Sequence, residues 1–329
     1  MERIQADTAI VADELVKTYP GPVRALDGMS LAVEAGSIFA VAGPNGAGKS
    51  TTVKILTTLS RPDSGAAQVA GLDVLRHPGR VRHVIGVVSQ KTGATPEATG
   101  RENLIMQGEI YGLTGRPLRE RVGELLERFD LQEAADRSTK TYSGGMRRRL
   151  DVAIGLVNRP EVLFLDEPTT GLDPEVRAEL WQEIEQLAGE ESMTILVTTH
   201  YLDEADHIAH QLAIVDHGRV VVQGTPDELK SELRGDTIQV ELAEPERDGR
   251  VKLTLQAIPG LSELAAEGTL LHARAEHGAS AIPLVLTALE REGVTVASVT
   301  LARPSLEEVY LRYAGHTYRD SERPNEQTG

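Results

Sequence analysis

Short apolar runs alternate with amphipathic stretches through residues 10–229 of the chain. Three of these runs, 37–43 (SIFAVAG), 161–167 (EVLFLDE) and 193–200 (MTILVTTH), are continuous and rich in β-forming residues. Such runs are typical of strands that are buried on both faces of a parallel sheet. Because they alternate with helical segments, they predict an α/β domain with a mostly parallel sheet.

A helix is predicted after each of the first two strands, because apolar residues recur there near the helical period. The first helix carries Val53, Leu56 and Leu59, and the second starts at Pro174 and carries Val176, Leu180, Ile184 and Leu187. Each helix would pack this apolar stripe against the sheet.

Residues 93–158 predict a helical insertion into the α/β domain. Thr99 and Glu102 stand three residues apart just before Leu104, which is the pattern of a capping box at a helix start. A second helix in this segment carries Val122, Leu125, Leu126 and Phe129 on one face.

The pattern changes again after residue 233. Strands are predicted at 237–243, 269–275 and 294–301 and a helix around 283–292, with a Pro/Glu/Arg/Asp-rich loop between the first two strands. A last helix follows Pro304, with Ser305 and Glu308 as its capping box. We therefore expect a first domain at 8–233, a small α+β domain at 234–315 and a polar, disordered tail at 316–329.

Composition excludes several classes of function. The 329 residues include 34 Lys and Arg against 50 Asp and Glu, for a formal net charge of -16, and no cysteine. The acidic balance disfavours a nucleic-acid binder, because such affinity comes from neutralising phosphates with Lys and Arg. The lack of cysteine excludes disulfide scaffolds, zinc–cysteine sites and cysteine nucleophiles.

Neither membrane insertion nor secretion is expected. No apolar run approaches the roughly 20 residues that a membrane-spanning helix needs. The first residues, MERIQADTAI, lack the basic-then-apolar layout of a signal peptide.

The strongest chemical signal is a glycine-rich loop that follows the first strand and opens the first helix. It matches G-x-x-x-x-G-K-[ST] in the strand–turn–helix context that confirms this pattern. Backbone N–H groups of such a loop surround phosphates, the lysine brings positive charge to the outer phosphates, and the hydroxyl binds Mg²⁺. The predicted nucleotide-binding residues are Gly43, Pro44, Asn45, Gly46, Ala47, Gly48, Lys49, Ser50 and Thr51.

Two adjacent carboxylates, Asp166 and Glu167, end the second strand. Asp166 would hold Mg²⁺ and its waters, and Glu167 would polarise a water that attacks the terminal phosphate. Taken alone, the pair could equally be solvated acids, because strand ends are commonly polar. The phosphate-binding loop favours the catalytic interpretation.

A third motif, YSGGM at 142–146, opens a helix that ends near Pro160. Ser143 is placed as its N-cap with glycine amides behind it, which is typical of an anion-binding helix start. The pentapeptide alone would suggest an ordinary capped helix, but its position just before the Asp166 strand favours a functional role. The three arginines at 147–149 are interpreted as a solvated face, with a lipid or phosphate contact as the alternative.

Together these motifs resemble one family, the ATP-binding subunits of ABC transporters, over residues 10–229 and in the family's order. The resemblance implies a P-loop NTPase fold: a mostly parallel sheet core, an antiparallel β part and a helical subdomain, followed here by the small α+β domain. It makes the glycine-rich loop the Walker A loop and the two carboxylates the Walker B pair.

The resemblance also assigns roles to residues that carry little signal alone. Tyr19 would stack on adenine, Gln90 would touch Mg²⁺ and sense the terminal phosphate, Ser143, Gly144 and Gly145 would form the signature motif, Asp173 would lie in the D-loop, and His200 would be the switch histidine. The expected catalytic residues are then Glu167, His200, Gln90 and Lys49, and the expected metal ligands are Ser50, Gln90 and Asp166.

The motif at 142–146 departs from the family's usual signature at two positions, and this departure bears on the subfamily. Tyr142 and Met146 replace the leucine and glutamine that are usual in the signature. Together with 198–206 (TTHYLDEAD), 225–230 (TPDELK) and 304–311 (PSLEEVYL), this motif resembles the ATPase subunits of daunorubicin-resistance-type exporters. Their partners are separate ABC-2 permeases.

The resemblance implies an ATPase that uses ATP and Mg²⁺ and works as a homodimer, with each nucleotide between the Walker A loop of one copy and the signature of the other. It would energise export of a drug or other amphipathic compound through an ABC-2 permease, at the cytoplasmic face of the cell membrane. A lipid or polysaccharide is the alternative cargo. A non-transport ABC ATPase acting on a ribosome or DNA is an alternative of another class, which the single cassette, the lack of sustained heptads and the acidic charge disfavour.

Overall fold

The computed structural model describes residues 8–21, 23–233, 235–244, 250–276, 278–302 and 304–315. These residues form two compact units, one ending at Pro226 and the other running from Asp227 to Gly315. The segment 316–329, which we expect to be disordered, lies outside the described residues.

The strands are β1 (Thr8–Tyr19), β2 (Val23–Glu34), β3 (Ile38–Ala42), β4 (Ser64–Val69), β5 (Leu72–Asp73), β6 (Ile85–Val88), β7 (Val162–Asp166), β8 (Thr194–Thr199), β9 (Gln211–Asp216), β10 (Arg219–Gly224), β11 (Asp236–Leu242), β12 (Leu261–Glu267), β13 (Leu270–Ala275) and β14 (Val296–Ala302). The helices are α1 (Lys49–Leu56), α2 (Pro78–Val84), α3 (Gly100–Ile110), α4 (Gly115–Arg128), α5 (Gly144–Gly155), α6 (Pro174–Glu191), α7 (Leu202–Ile208), α8 (Pro226–Ser231), α9 (Arg250–Gln256), α10 (Gly278–Arg291) and α11 (Leu306–Ala314).

Two sheets form the first unit. The larger has the order β10-β9-β3-β8-β7-β6, with only the β10–β9 pair antiparallel. Strands β3 and β8 are buried along their whole length, which explains their continuous apolar runs. The smaller sheet is antiparallel, with the order β2-β1-β4-β5. The predicted mostly parallel core with an antiparallel part is therefore confirmed.

Helix α1 packs in the core that both sheets share. Its Val53, Ile55 and Leu56 cluster with buried side chains of β1, β2, β3 and β7. The helix ends at Leu56, and Thr58 turns the chain away with a left-handed φ of 64°. The expectation that Leu59 continues the apolar stripe was wrong: Leu59 lies beyond the helix and is 71% exposed.

Three helices, α3, α4 and α5, lie between β6 and β7 in the chain. Thr99 and Glu102 form the predicted capping box, each side chain bonding the other's backbone N–H. The apolar face of α4, with Val122, Leu125 and Leu126, is buried. Within the described ranges, no helix has both the length and the apolar character needed to cross a bilayer.

The second unit has the element order β11-α9-β12-β13-α10-β14, which is that of a ferredoxin-like, split βαβ arrangement. Its antiparallel sheet has the order β12-β13-β11-β14. The expectation of a loop between the first two strands was wrong, because helix α9 and strand β12 lie there and pack Val251, Leu255 and Leu261 against the core of this unit. Helix α10 begins at Gly278, before the expected position at Pro283, because Asp236 accepts a hydrogen bond from the Gly278 N–H at 3.1 Å and the proline is accommodated inside the helix.

Helix α11 closes the second unit. Ser305 caps it, accepting from the Glu308 N–H at 3.3 Å, while the Glu308 carboxylate bonds Arg274 of β13 at 2.7 Å. Arg274 alternates along β13 with Ala273 and Ala275, which belong to the core under α9 and α10. Helix α11 therefore covers the opposite face of the sheet.

Tyr310 is the largest fully buried side chain of α11 and therefore anchors this helix. We expect Tyr310→Ala to destabilise the second unit by about 3 kcal/mol through the cavity that it leaves. Hydrogen exchange of the β11 and β13 amides in the full chain measures this loss. Leu311→Ala is the matched control, since Leu311 is 43% exposed; equal effects of the two variants would contradict the anchoring role.

Candidate active site

Four strands of the parallel sheet end at one edge, and the predicted catalytic residues follow these ends. The glycine-rich loop follows β3, Gln90 lies two residues after β6, Glu167 directly follows β7, and His200 directly follows β8. Loops that are far apart in sequence meet at the carboxyl edge of a parallel sheet, which is where such sheets bind ligands.

The glycine-rich loop is held by close backbone contacts on two sides. A Cβ atom on Gly43 would lie 2.2 Å from the carbonyl oxygen of Val215, and one on Gly48, whose φ is 105°, would lie 2.6 Å from that of Ala25. Only glycine fits at these two positions. A Cβ on Gly46 would meet no atom within 4 Å, so this part of the loop is open to a ligand.

Lys49, the first residue of α1, holds the loop in its curved shape. Its buried ammonium donates to the carbonyl oxygens of Gly43 at 2.7 Å and Pro44 at 3.0 Å. The same ammonium lies 3.5 Å from Oε1 of Glu167. The lysine thus places a positive charge between the loop and the end of β7.

Two of the three expected metal ligands, Ser50 and Asp166, are in contact. The Ser50 hydroxyl donates to Oδ1 of Asp166 at 3.1 Å, and Thr198 donates to the same oxygen at 2.6 Å. Hydroxyl, carboxylate and amide oxygens are donors that suit Mg²⁺, which commonly takes one or two carboxylates and completes its shell with phosphate and water. Among the described residues, no three or more His, Cys, Asp or Glu side chains are grouped so that they could hold a metal by themselves.

The Glu167 carboxylate is contacted by side chains from several parts of the chain. Its carboxylate accepts from Nε2 of Gln90 at 3.1 Å and from the Thr170 hydroxyl at 3.3 Å, and it lies 3.3 Å from Nδ1 of His200. Its backbone adopts a left-handed φ of 47°, held by donation of its N–H to Thr198. Such strain in a non-glycine residue, of order 1–3 kcal/mol, is concentrated at functional sites.

The signature residues lie at the start of α5. Ser143 caps this helix by accepting from the Met146 N–H at 3.2 Å, and Ser143 and Gly144 are exposed. A Cβ on Gly145 would come within 2.7 Å of Val176, so glycine allows α5 and α6 to approach closely. The helix start therefore presents N–H groups outward, where a phosphate could bind.

The two remaining predicted residues, Tyr19 and Asp173, lie on other elements of the first unit. Tyr19 ends β1 in the antiparallel sheet, half-buried, with the Lys17 ammonium 5.6 Å from its ring centre. Asp173 caps α6 by accepting from the Val176 N–H at 3.0 Å. Their roles toward adenine and in the D-loop stay predictions.

Sequence reasoning missed Glu204, a buried carboxylate of α7. It accepts from the hydroxyls of Thr169 at 2.8 Å and Thr199 at 3.0 Å, and Arg177 lies 3.4 Å away. Thr169 follows the Walker B pair and Thr199 precedes His200, so Glu204 connects the two loops. Burial raises the pKa of Glu204, although these hydrogen bonds and Arg177 oppose the rise. The signal in the sequence was that Glu204 lies on the same side of α7 as the apolar residues Ala205 and Ile208.

The interpretation of the three arginines as a solvated face was wrong for Arg148. Arg147 is exposed and Arg149 bonds Glu179 at 3.0 Å, but Arg148 is only 7% exposed. Its position on α5 turns it inward, where it donates to the carbonyl oxygens of Ser89 and Pro168. Three identical side chains in a row look alike in sequence, yet only one of them faces the core.

The fold and site define a P-loop ATPase of the ATP-binding-cassette type, and comparison with known proteins agrees. A family described as ABC transporter matches residues 26–170, and one described as ATP-binding protein DrrA1-3-like, C-terminal domain, matches residues 224–314. A dimeric ATP-binding cassette, solved in a post-hydrolysis state with ADP and Pi, matches with a TM-score of 0.61 at 25% identity, covering 66% of this chain and 98% of that chain.

Relatives that match almost the whole chain identify the family within this class. The daunorubicin resistance ATP-binding protein DrrA2 of Streptomyces coeruleorubidus is 46% identical over 95% of this chain and 97% of its own length. The daunorubicin/doxorubicin resistance protein DrrA of Streptomyces peucetius is 44% identical over 96% and 95%, and the Nod factor export ATP-binding protein I of Ralstonia nicotianae is 35% identical over 95% and 96%. The chain belongs to the DrrA-type family of ABC transporter ATP-binding proteins. It is an ATP-hydrolysing, energising subunit, as the motifs predict.

The buried Glu204 generates a pH-dependent prediction. Because its folded-state pKa lies above the unfolded value of about 4.3, its contribution to stability is present below that value and is lost as the pH rises through the raised pKa. Glu204→Gln removes this titration, so the melting temperature of the variant minus that of the wild type should increase between about pH 4 and pH 8. Thermal unfolding across this range measures it. A flat Glu204→Gln profile would contradict the effect of burial.

Proposed function

We propose that Glu167 is the catalytic base of this ATPase. The observation that carries the proposal is the convergence of Lys49, Gln90 and His200 on the Glu167 carboxylate beside the glycine-rich loop. A carboxylate in this place can accept a hydrogen bond from a water and polarise it toward a terminal phosphate held at the loop. Lys49 and His200 would then stabilise the charge that develops on the phosphoryl oxygens.

Mg²⁺ binding is proposed for Ser50, Asp166 and Gln90. The support is the contact between the Ser50 hydroxyl and Asp166, beside a loop open to phosphates. Bound there, the ion would neutralise charge on the phosphates. The protein's part is to orient these oxygens: Thr198 fixes the Asp166 carboxylate, and the backbone at Gly48 fixes the start of α1.

The signature residues Ser143, Gly144 and Gly145 are proposed to act on the nucleotide of a second copy. They form an exposed helix start at which a phosphate could bind. The homodimer would thus contain two composite sites, each with the Walker A loop of one copy and the signature of the other. The dimeric form of the ADP-bound cassette that matches this chain supports the arrangement.

The chain is proposed to energise drug export through a separate ABC-2 permease, at the cytoplasmic face of the cell membrane. The names of the two daunorubicin-resistance relatives support this cargo class. A second candidate is a lipid- or saccharide-type cargo, favoured by the similarity to a Nod factor exporter. Action on a ribosome or DNA has less support, because the net charge of -16 would oppose approach to nucleic acid.

Glu167→Gln tests the catalytic base. The amide retains the size of the side chain but cannot take a proton, so ATP binding should persist while hydrolysis falls by about 100-fold or more. Fluorescent-nucleotide binding and phosphate release measure the two quantities. Glu175→Gln on the exposed start of α6 is the control and should hydrolyse normally. Near wild-type turnover by Glu167→Gln would rule out the assignment.

The same variant tests the composite site. With ATP trapped, Glu167→Gln should sediment as a dimer, because both nucleotides hold the copies together. Adding Gly144→Glu places a negative charge at the exposed helix start without a steric clash, since a Cβ there meets no atom within 4 Å. The double variant should bind ATP and remain monomeric; a persistent dimer would exclude the signature from the interface.

Drug export predicts a membrane partner. The tagged full chain should co-purify with a multi-span membrane protein, and anthracyclines should stimulate ATP hydrolysis by the reconstituted complex. Stimulation by glycolipids in place of anthracyclines would favour the second cargo class. Recovery of the chain with ribosomes and without any membrane protein would contradict transport.

A further inference from the structure

Two buried charges of α5 contact the chain on both sides of Gln90. Nη1 of Arg148 donates to the carbonyl oxygen of Ser89 at 2.7 Å. Asp151, one turn later on the same helix face, accepts from the Thr92 hydroxyl at 2.9 Å and from the Gly93 N–H at 3.0 Å. The loop that carries Gln90 is therefore held before and after this residue by one helix.

The same arginine holds the chain after Glu167. Nε of Arg148 donates to the carbonyl oxygen of Pro168 at 2.6 Å. Glu167 has the left-handed backbone described above, so the segment that follows must be fixed for its carboxylate to stay in place. One guanidinium thus joins the loops of two residues whose side chains bond each other at 3.1 Å.

Burial of this pair is costly for folding. Arg148 and Asp151 are 7% and 6% exposed, and their charged atoms lie 4.0 Å apart. Desolvation lowers the pKa of Arg148 and raises that of Asp151. Replacement of a buried ion pair by apolar residues of similar volume is often neutral or stabilising, so stability alone does not account for the pair. Its hydrogen bonds go to the two catalytic loops.

We propose that Arg148 and Asp151 are positioning residues that hold Gln90 and Glu167 in the geometry for hydrolysis and connect that geometry to the signature residues at the start of α5. A shift of α5 on engagement of a phosphate would move Ser89, Thr92 and Pro168 with it. The inference rests on the roles proposed above for Gln90 and Glu167.

Substitution of the arginine tests the proposal. Arg148→Met keeps the length of the side chain without its donors, so kcat should fall by about tenfold or more while KM for ATP changes less than about twofold. The reason is that the hydrogen bonds of Arg148 go to the carbonyl oxygens of Ser89 and Pro168, both outside the Walker A loop. Arg148→Lys can restore one of the two backbone hydrogen bonds and should recover part of kcat. Arg149→Met, with its half-exposed ion pair to Glu179, is the matched control and should keep kcat within about twofold.

Hydrogen exchange of the full chain separates positioning from general destabilisation. In Arg148→Met, the amides of residues 89–93 should exchange faster while those of β3 and β8 are unchanged. Thr92→Val serves if Arg148→Met does not fold, because Thr92 is exposed and the substitution removes only its hydroxyl, which donates to Asp151 at 2.9 Å and accepts from the Ala94 N–H at 3.3 Å. It should lower kcat by about threefold with KM unchanged. Unaltered kcat in the folded variants, or faster exchange throughout the first unit, would overturn the proposal.

Glu167→Gln distinguishes failure of this inference from failure of the proposed base. If Glu167→Gln hydrolyses ATP normally but Arg148→Met frees residues 89–93 and lowers kcat, the base is misassigned and the positioning role stands. If Glu167→Gln is inactive and Arg148→Met leaves both exchange and kcat unchanged, the base stands and the positioning role is excluded.

Discussion

The balance of charge around one buried carboxylate organises the nucleotide site. Glu167 sits at the carboxyl edge of the parallel sheet, only 8% exposed. An unpaired carboxylate buried there would greatly reduce the stability of the fold. The carboxylate is instead contacted by Lys49, Gln90 and His200, which come from three other parts of the chain. A terminal phosphate at the glycine-rich loop would bring a second anion to the same groups. This competition gives nucleotide binding a physical means of changing the loops that carry Gln90 and His200.

A second layer of buried charge supports the first. Glu204 joins the turn after the Walker B pair to the end of β8, and Arg148 with Asp151 joins the Gln90 loop to the start of the signature helix. Each of these side chains bonds a backbone group or a hydroxyl that lies within three residues of a residue of the site. Rigid contacts of this kind, made just outside the site, hold the catalytic side chains within the small range of positions that catalysis requires. Burying these charged side chains lowers the free energy of unfolding, but it fixes the positions of the catalytic residues.

The sequence predicted the cassette far better than the second unit. In the cassette, strand, turn and helix signals agree with one another, and the motifs add constraints on backbone shape, as at Gly43 and Gly48. In the second unit, residues 251–255 alternate apolar and polar as a strand would, yet they form helix α9, so packing against the core of the unit determines their structure. The errors at Leu59 and Pro283 have a similar origin: helix ends depend on caps and tertiary hydrogen bonds more than on apolar spacing.

The sequence by itself determined the class of chemistry, because a phosphate-binding loop, a Walker B pair and a capped glycine start are local patterns with local mechanisms. The tertiary structure decided which charges act together. Arg147, Arg148 and Arg149 are identical in kind, and only the helical rotation that buries Arg148 against Ser89 and Pro168 makes it different from its neighbours. Convergence on Glu167 is likewise a product of strand order, since parallel pairing brings residues 49, 90, 167 and 200 to one edge of the sheet.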